Sequence, residues 1–187
     1  MKYLRMFAAA MALIALAAGS ASATTLEING VTQTGVVELS TSIVSGKSLI
    51  MRDTSGFSQN TCTTSVAKGS TETKTGTAVT GKLSSLTISG CTRTVTIHKP
   101  GTLEIVWSDG TTNGTAYSEE AQITSGSPIG TLNCTTGATT HLGTLTGVKE
   151  GSAVIHMNAL INCGIIASMR WEAVLSVTSP GGLGVVS

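Results

Sequence analysis

From Ala153 to Cys163 apolar and polar positions alternate: Ala153, Ile155, Met157, Ala159, Ile161 and Cys163 fall on one side, and Val154, His156, Asn158, Leu160 and Asn162 on the other. Successive side chains of a strand point to opposite faces, so the first set is expected in a core and the second on a partly wet face. A second alternation follows, with Trp171, Ala173, Leu175 and Val177 inward and Arg170, Glu172, Ser176 and Thr178 outward, Val174 being the exception. Gly164–Met169 must turn the chain between them. The stretch Gly151–Thr178 is therefore the expected core hairpin.

Shorter alternations bounded by turn residues predict further strands at about 26–28, 36–42, 48–53, 83–89, 92–98, 102–108, 115–124, 130–134 and 140–146. Asp109-Gly110 and Asn113-Gly114 form the strongest local turn signal. The polar run Lys68–Thr80 is the place where disorder is expected, and Pro180–Gly184 should be a loop before a short last strand. No segment after residue 23 carries a helical period with caps. Many short strands at close spacing predict an all-β chain, an antiparallel β-sandwich or β-barrel.

The first residues differ from all of this. Lys2 and Arg5 precede an apolar run from Met6 to Ala18, and small residues end at Ala21-Ser22-Ala23. That is the three-part pattern of a secretory signal peptide, and the run is shorter than the roughly 20 residues a spanning helix needs. The expected organisation is a signal peptide over 1–23 and one all-β domain over 24–187, exported by a bacterial route to the cell surface or medium, with no transmembrane helix after cleavage.

Four cysteines in an exported chain predict two disulfides. Cys62 and Cys91 are separated by 29 positions, as are Cys134 and Cys163, and Cys62 and Cys134 each open a Cys-Thr-Thr tripeptide. Equal spacing favours the pairs Cys62–Cys91 and Cys134–Cys163. It also suggests an internal duplication, about 36–124 and 125–187. No C-x-x-C pair exists and the three His are scattered, so a metal site is not expected.

Charge narrows the function classes further. Removing Lys2 and Arg5 from the 11 basic side chains leaves 9 against 10 acidic ones, and no basic stripe suggests nucleic acid. Catalytic motifs with a nucleophile elbow, a zinc helix or a phosphate loop are absent. Glu119-Glu120 would point to opposite faces of a strand and so could not act as a carboxylate pair. His98 and His141 have no carboxylate nearby in sequence. His156, beside Asn158 and Asn162, is expected on a solvated strand face, and Trp107 and Trp171 in the core rather than under a sugar.

Thr25-Leu-Glu-Ile-Asn-Gly30, Gly90-Cys91-Thr92, Ser108–Gly114, Leu142–Gly147 and Trp171-Glu172 resemble signatures of a group of small exported bacterial proteins of unknown function. More distantly, the spaced cysteines in a Thr/Gly-rich exported chain are similar to the proteins named activators of alkane oxidation. Those resemblances imply a surface or extracellular accessory role and no particular site residue. The expectation is a non-enzymatic binding, adhesive or structural module without cofactor, whose unknown partner is extracellular or on the cell surface, with sheet edges available for self-association. The alternative is a barrel carrying an apolar ligand or lipid; a hydrolase with an unrecognised site ranks third.

Overall fold

A computed structural model describes residues 23–72, 76–108, 111–164 and 168–187. Its strands are β1 (Thr25–Ile28), β2 (Val31–Thr32), β3 (Val36–Ile43), β4 (Leu49–Arg52), β5 (Ser58–Glu72), β6 (Val79–Cys91), β7 (Val95–Lys99), β8 (Thr102–Trp107), β9 (Gly114–Ser118), β10 (Gln122–Ser127), β11 (Gly130–Thr135), β12 (Thr140–Thr146), β13 (Val154–Asn162), β14 (Ser168–Ser179) and β15 (Leu183–Val186). None of the described residues is helical.

The fold is a closed antiparallel barrel of eight strands with extra strands added to it. The ring runs β3-β5-β6-β8-β9-β12-β13-β14 and shuts where β14 pairs with β3, Ser176 opposite Ser42. Four of its staves are broken at mid-height. β3 continues downward as β4, β7 leads up into β8, β9 continues down as β10, and β11 leads up into β12, as their shared partners require. Only β5, β6, β13 and β14 run the full height. The outcome is two storeys with one core each.

The upper core gathers Val79, Ile105, Leu145, Ala153 and Val177. It is lidded by the small sheet β15-β1-β2, which contributes Leu26, Leu183 and Val185. The lower core gathers Leu49, Met51, Ile123, Leu132, Ile161, Met169 and Trp171, together with Cys62, Cys134 and Cys163. The alternation read along Ala153–Cys163 and Trp171–Val177 holds, because β13 and β14 pair without a shift from Val154↔Ser176 to Asn162↔Ser168. Ala159, Ile161 and Trp171 are buried, whereas His156, Asn158 and Leu160 are exposed.

In the lower storey two seams are weak. β6 and β7 are joined by the turn at 92–94 but share no ladder, and β11 meets β13 at a single pair, Thr135↔Asn162. Both disulfides lie next to these places. Cys62–Cys91 joins directly opposed residues of β5 and β6 just above the unladdered turn, and Cys134–Cys163 extends the one-pair seam. The equal-spacing pairing is thus the pairing found.

A buried side chain bridges the remaining gap. Asn60, 1% exposed, donates from Nδ2 to the Arg93 carbonyl (3.0 Å) and to Ser125 Oγ (3.2 Å). Its Oδ1 accepts from the Arg93 N–H (3.0 Å) and from Thr92 Oγ1 (2.9 Å). A buried amide is tolerated only when its donors and acceptor are met, and here they are. Asn60 therefore stitches β5 to the β6–β7 turn and to β10.

Two sequence expectations need correction. Lys68–Thr80 is not a disordered run: Lys68–Glu72 end β5 and Val79–Thr80 begin β6, while residues 73–75 lie outside the described residues. The predicted strand 115–124 is two strands, broken at Glu119-Glu120-Ala121 where β9 passes into β10. The two Glu residues consequently do not sit on a strand. Glu119 Oε1 accepts from the Thr139 N–H (2.9 Å), and Glu120 pairs with Lys99 across the break. The Lys99 ammonium, by its hydrogen bond and then its charge, holds the Glu120 carboxyl below the usual carboxylate range.

Candidate functional site

Three places could carry function, and the lumen is the first. An eight-stranded barrel has an interior just wide enough for side chains to fill or for one small ligand. Here side chains fill it. Leu39, Leu103, Ile105, Leu145 and Ile155 leave a void of about 40 Å³, far below the roughly 300 Å³ at which ligand pockets begin.

The histidines are the second. His98 Nε2 lies 2.7 Å from Thr124 Oγ1, which donates to Asn133 Oδ1 (3.2 Å), so these three form a polar row across β7, β10 and β11. His141 meets the edge of the Tyr117 ring with centroids 5.6 Å apart. His156 lines a shallow outer groove with Lys47, Asn158 and Glu172. No group of three His, Cys, Asp or Glu among the described residues is placed to hold a metal ion. Trp171 is buried in the lower core, and Trp107 packs at the edge of the upper one with its Nε1 donating to the Thr111 carbonyl (2.8 Å). Neither is presented to a sugar.

The lower end of the barrel is the third, and sequence reasoning missed it. β4, β6, β10 and β13 all run toward this end and β5, β7, β11 and β14 away from it, so the turns β4–β5, β6–β7 and β10–β11 emerge together. The first is built around Asp53. Its Oδ1 accepts from the Ser55 and Phe57 N–H groups (both 2.9 Å), its Oδ2 accepts from Gln59 Nε2 (2.7 Å), and Gly56 supplies φ of +88°. Arg52 Nη1 donates to the Gly56 carbonyl (3.2 Å). What this well-braced turn holds out is Phe57, 71% exposed.

The β10–β11 hairpin does the same with an aliphatic residue. Ser127 Oγ donates to the Gly130 carbonyl (2.9 Å) and accepts from the Ile129 N–H (3.3 Å), and Gly130 takes φ of +129°. Ile129 at the tip is 74% exposed. Leu160, 58% exposed, stands on the outer face of β13 near the same end, paired with Arg170. Turn tips favour Gly, Pro, Asn, Asp and Ser, and single exposed apolar residues are unremarkable. Two tips fixed by side-chain hydrogen bonds, each presenting a large apolar group at one end, form a pattern.

The charges at this end complete it. Arg52, Arg93 and Arg170 are all the arginines after residue 23, and all three sit here. Arg52 is engaged by Glu172 (3.0 Å), Arg170 donates to Asn158 Oδ1 (3.4 Å), and Arg93 lies exposed on the β6–β7 turn. A groove beside the Ile129 tip is lined by Arg93, Thr94, Thr96, Thr124, Ser127 and Thr131. The sequence signal that could have found this end is small but real: Phe57 is one of two Phe in the chain, the other being Phe7, and it directly follows Asp53-Thr-Ser-Gly56.

A closed up-and-down barrel, stapled twice in its lower storey and carrying an apolar, arginine-bearing end, is the class these features define. No protein-family model, curated protein or solved structure gives a significant match to the chain. No helix among the described residues is long and apolar enough to cross a membrane.

Proposed function

We propose that this chain is an exported, non-enzymatic binding module that engages its partner through the lower end of the barrel and not through its lumen. The observation that carries the reading is the contrast between a lumen void of only about 40 Å³ and two hydrogen-bonded turns that hold Phe57 and Ile129 in solvent. Large apolar groups held at a surface favour a partner that covers them. The alternative, a barrel that carries its ligand inside, needs a lumen of roughly 300 Å³ or more, against about 40 Å³ found there.

Export rests on the leader and on where the fold begins. Thr24 is buried: its N–H donates to the Gly76 carbonyl (2.6 Å), its Oγ1 donates to the Thr77 carbonyl (2.7 Å) and accepts from the Trp107 N–H (3.2 Å). Cleavage after Ala23 would keep all of these bonds. Amino-terminal sequencing of the extracellular protein is expected to start at Thr24 or within a residue or two; an intact Met1 on protein retained in the cytoplasm would refute export.

The binding end is tested by incubating the purified, disulfide-bonded protein with cell-envelope fractions. The double variant Phe57→Ser/Ile129→Ser should bind about tenfold more weakly or worse, since burying such a side chain is worth roughly 1.5–3 kcal/mol. Its thermal midpoint should hardly move, because both side chains stand in solvent. Undiminished binding by this variant would sink the proposal.

A further inference from the structure

Resting on the reading that the lower end is the binding end, we infer that its occupant is the surface of an anionic lipid bilayer. The apolar groups favour lipid over a folded protein because of their shape. Phe57 and Ile129 are separate convex tips on different hairpins, and no described cavity offers a concave apolar seat between them. A protein partner would have to supply matching pockets at each tip, whereas a fluid bilayer accepts protruding apolar groups wherever they stand. Leu160, set back on the side of β13, would meet the interface at the rim.

Charge selects the kind of bilayer. The acidic groups at this end are already engaged: Asp53 is consumed by its own turn, and Glu172 is paired with Arg52. Arg170 and Arg93 are left without a carboxylate partner among the described residues. Among the described residues the lysines do not share this bias; Lys68, Lys82 and Lys99 lie along the barrel wall, and Lys47 and Lys149 lie in the connections β3–β4 and β12–β13. A guanidinium matches phosphate geometry with two parallel N–H donors. The Arg93 groove adds the hydroxyls of Thr94, Thr96 and Thr131 beside the Ile129 tip. A lipid phosphate seated in that groove would place its acyl chains alongside Ile129. Phosphate on the rim and an apolar tip below it are the two components of a lipid interface.

Co-sedimentation with vesicles tests this, using phosphatidylcholine alone and phosphatidylcholine mixed with an equal part of phosphatidylglycerol. The purified, disulfide-bonded protein is expected to pellet with the mixed vesicles, more weakly with the neutral ones, and less as salt is raised. Phe57→Ser and Ile129→Ser should each lower partitioning about tenfold. Arg93→Gln should lower it about fivefold on the anionic vesicles alone, the effect of one charge near such a surface. Protein that stays in the supernatant with both vesicle types overturns the inference, as does vesicle binding indifferent to Phe57 and Ile129. If pure lipid is not bound but envelope fractions still are, in a Phe57-dependent way, the occupant is not lipid and the binding-end reading stands; if both fail, both fall.

Discussion

Trp171→Ala should cost about 3–5 kcal/mol of stability, the usual range for truncating a buried Trp. The residue is 3% exposed and sits among Met51, Ile161, Met169 and the two disulfides in the lower core. For a domain of this size each kcal/mol shifts the thermal midpoint by about 2–4 °C, so the loss should be plain in a circular dichroism melt. Trp171→Phe separates packing from polarity. The indole Nε1 is buried without an acceptor among the described residues, and an unmet buried donor is itself unfavourable. Removing it with most of the ring volume kept should cost far less than the alanine change. Equal losses for the two variants would show that the lower core does not depend on the ring.

Loss of a disulfide should be the second large effect. Small secreted domains typically lose about 2–5 kcal/mol per bridge, and each bridge here closes a loop for which the chain-entropy model gives roughly 3–4 kcal/mol. Placement argues for the upper half of the range for Cys134–Cys163. It reinforces a seam with only one ladder pair, Thr135↔Asn162, whereas Cys62–Cys91 reinforces a seam that β5 and β6 pair along almost their whole length. The double replacement Cys134→Ala/Cys163→Ala should therefore lower the midpoint more than Cys62→Ala/Cys91→Ala. The two Trp residues report where the damage falls, since Trp171 lies in the lower core and Trp107 beside the upper one. Fluorescence of Trp107→Phe protein, which keeps Trp171 alone, should change on reduction before that of Trp171→Phe protein. The reverse order would contradict the assignment of the staples to the lower storey.

The hairpin of β13 and β14 was legible because both strands carry apolar residues at every second position, from Ala153 to Cys163 and from Trp171 to Val177. Bridge partners were legible because the equal spacing of 29 makes each pair a local closure within one half of the chain. β5, the longest strand, was not. Its inward positions are Asn60, Cys62, Ala67, Gly69 and Thr71, which give little hydrophobic signal. They are small because the lumen is filled from other staves by Leu39, Leu103, Ile105 and Leu145; small residues facing large ones are how a narrow barrel fits its contents. Three of the four mid-height breaks were legible as gaps between predicted strands, β3–β4, β7–β8 and β11–β12; the fourth was missed, since period-two alternation continues on both sides of Glu119-Glu120. Phe57 and Ile129 escaped notice because their importance lies in topology, which brings two turns 70 residues apart in the chain to one end, and local pattern carries no trace of that.

The serial order of the staves has a consequence for how the protein is made. Seven of the eight seams of the ring join staves that follow one another along the chain, so they can form hairpin by hairpin as it emerges. The eighth cannot. β14, the last of the eight staves, must reach back to β3, where Thr178 Oγ1 donates to the Ser40 carbonyl across 138 positions, and the lid strand β15 follows it. Until then the growing sheet is an open trough with its apolar side uncovered, and the entropy of closing so long a loop is met in one late step. Such a chain gains nothing from folding early. Its native state becomes accessible only once β14 and β15 have both been made.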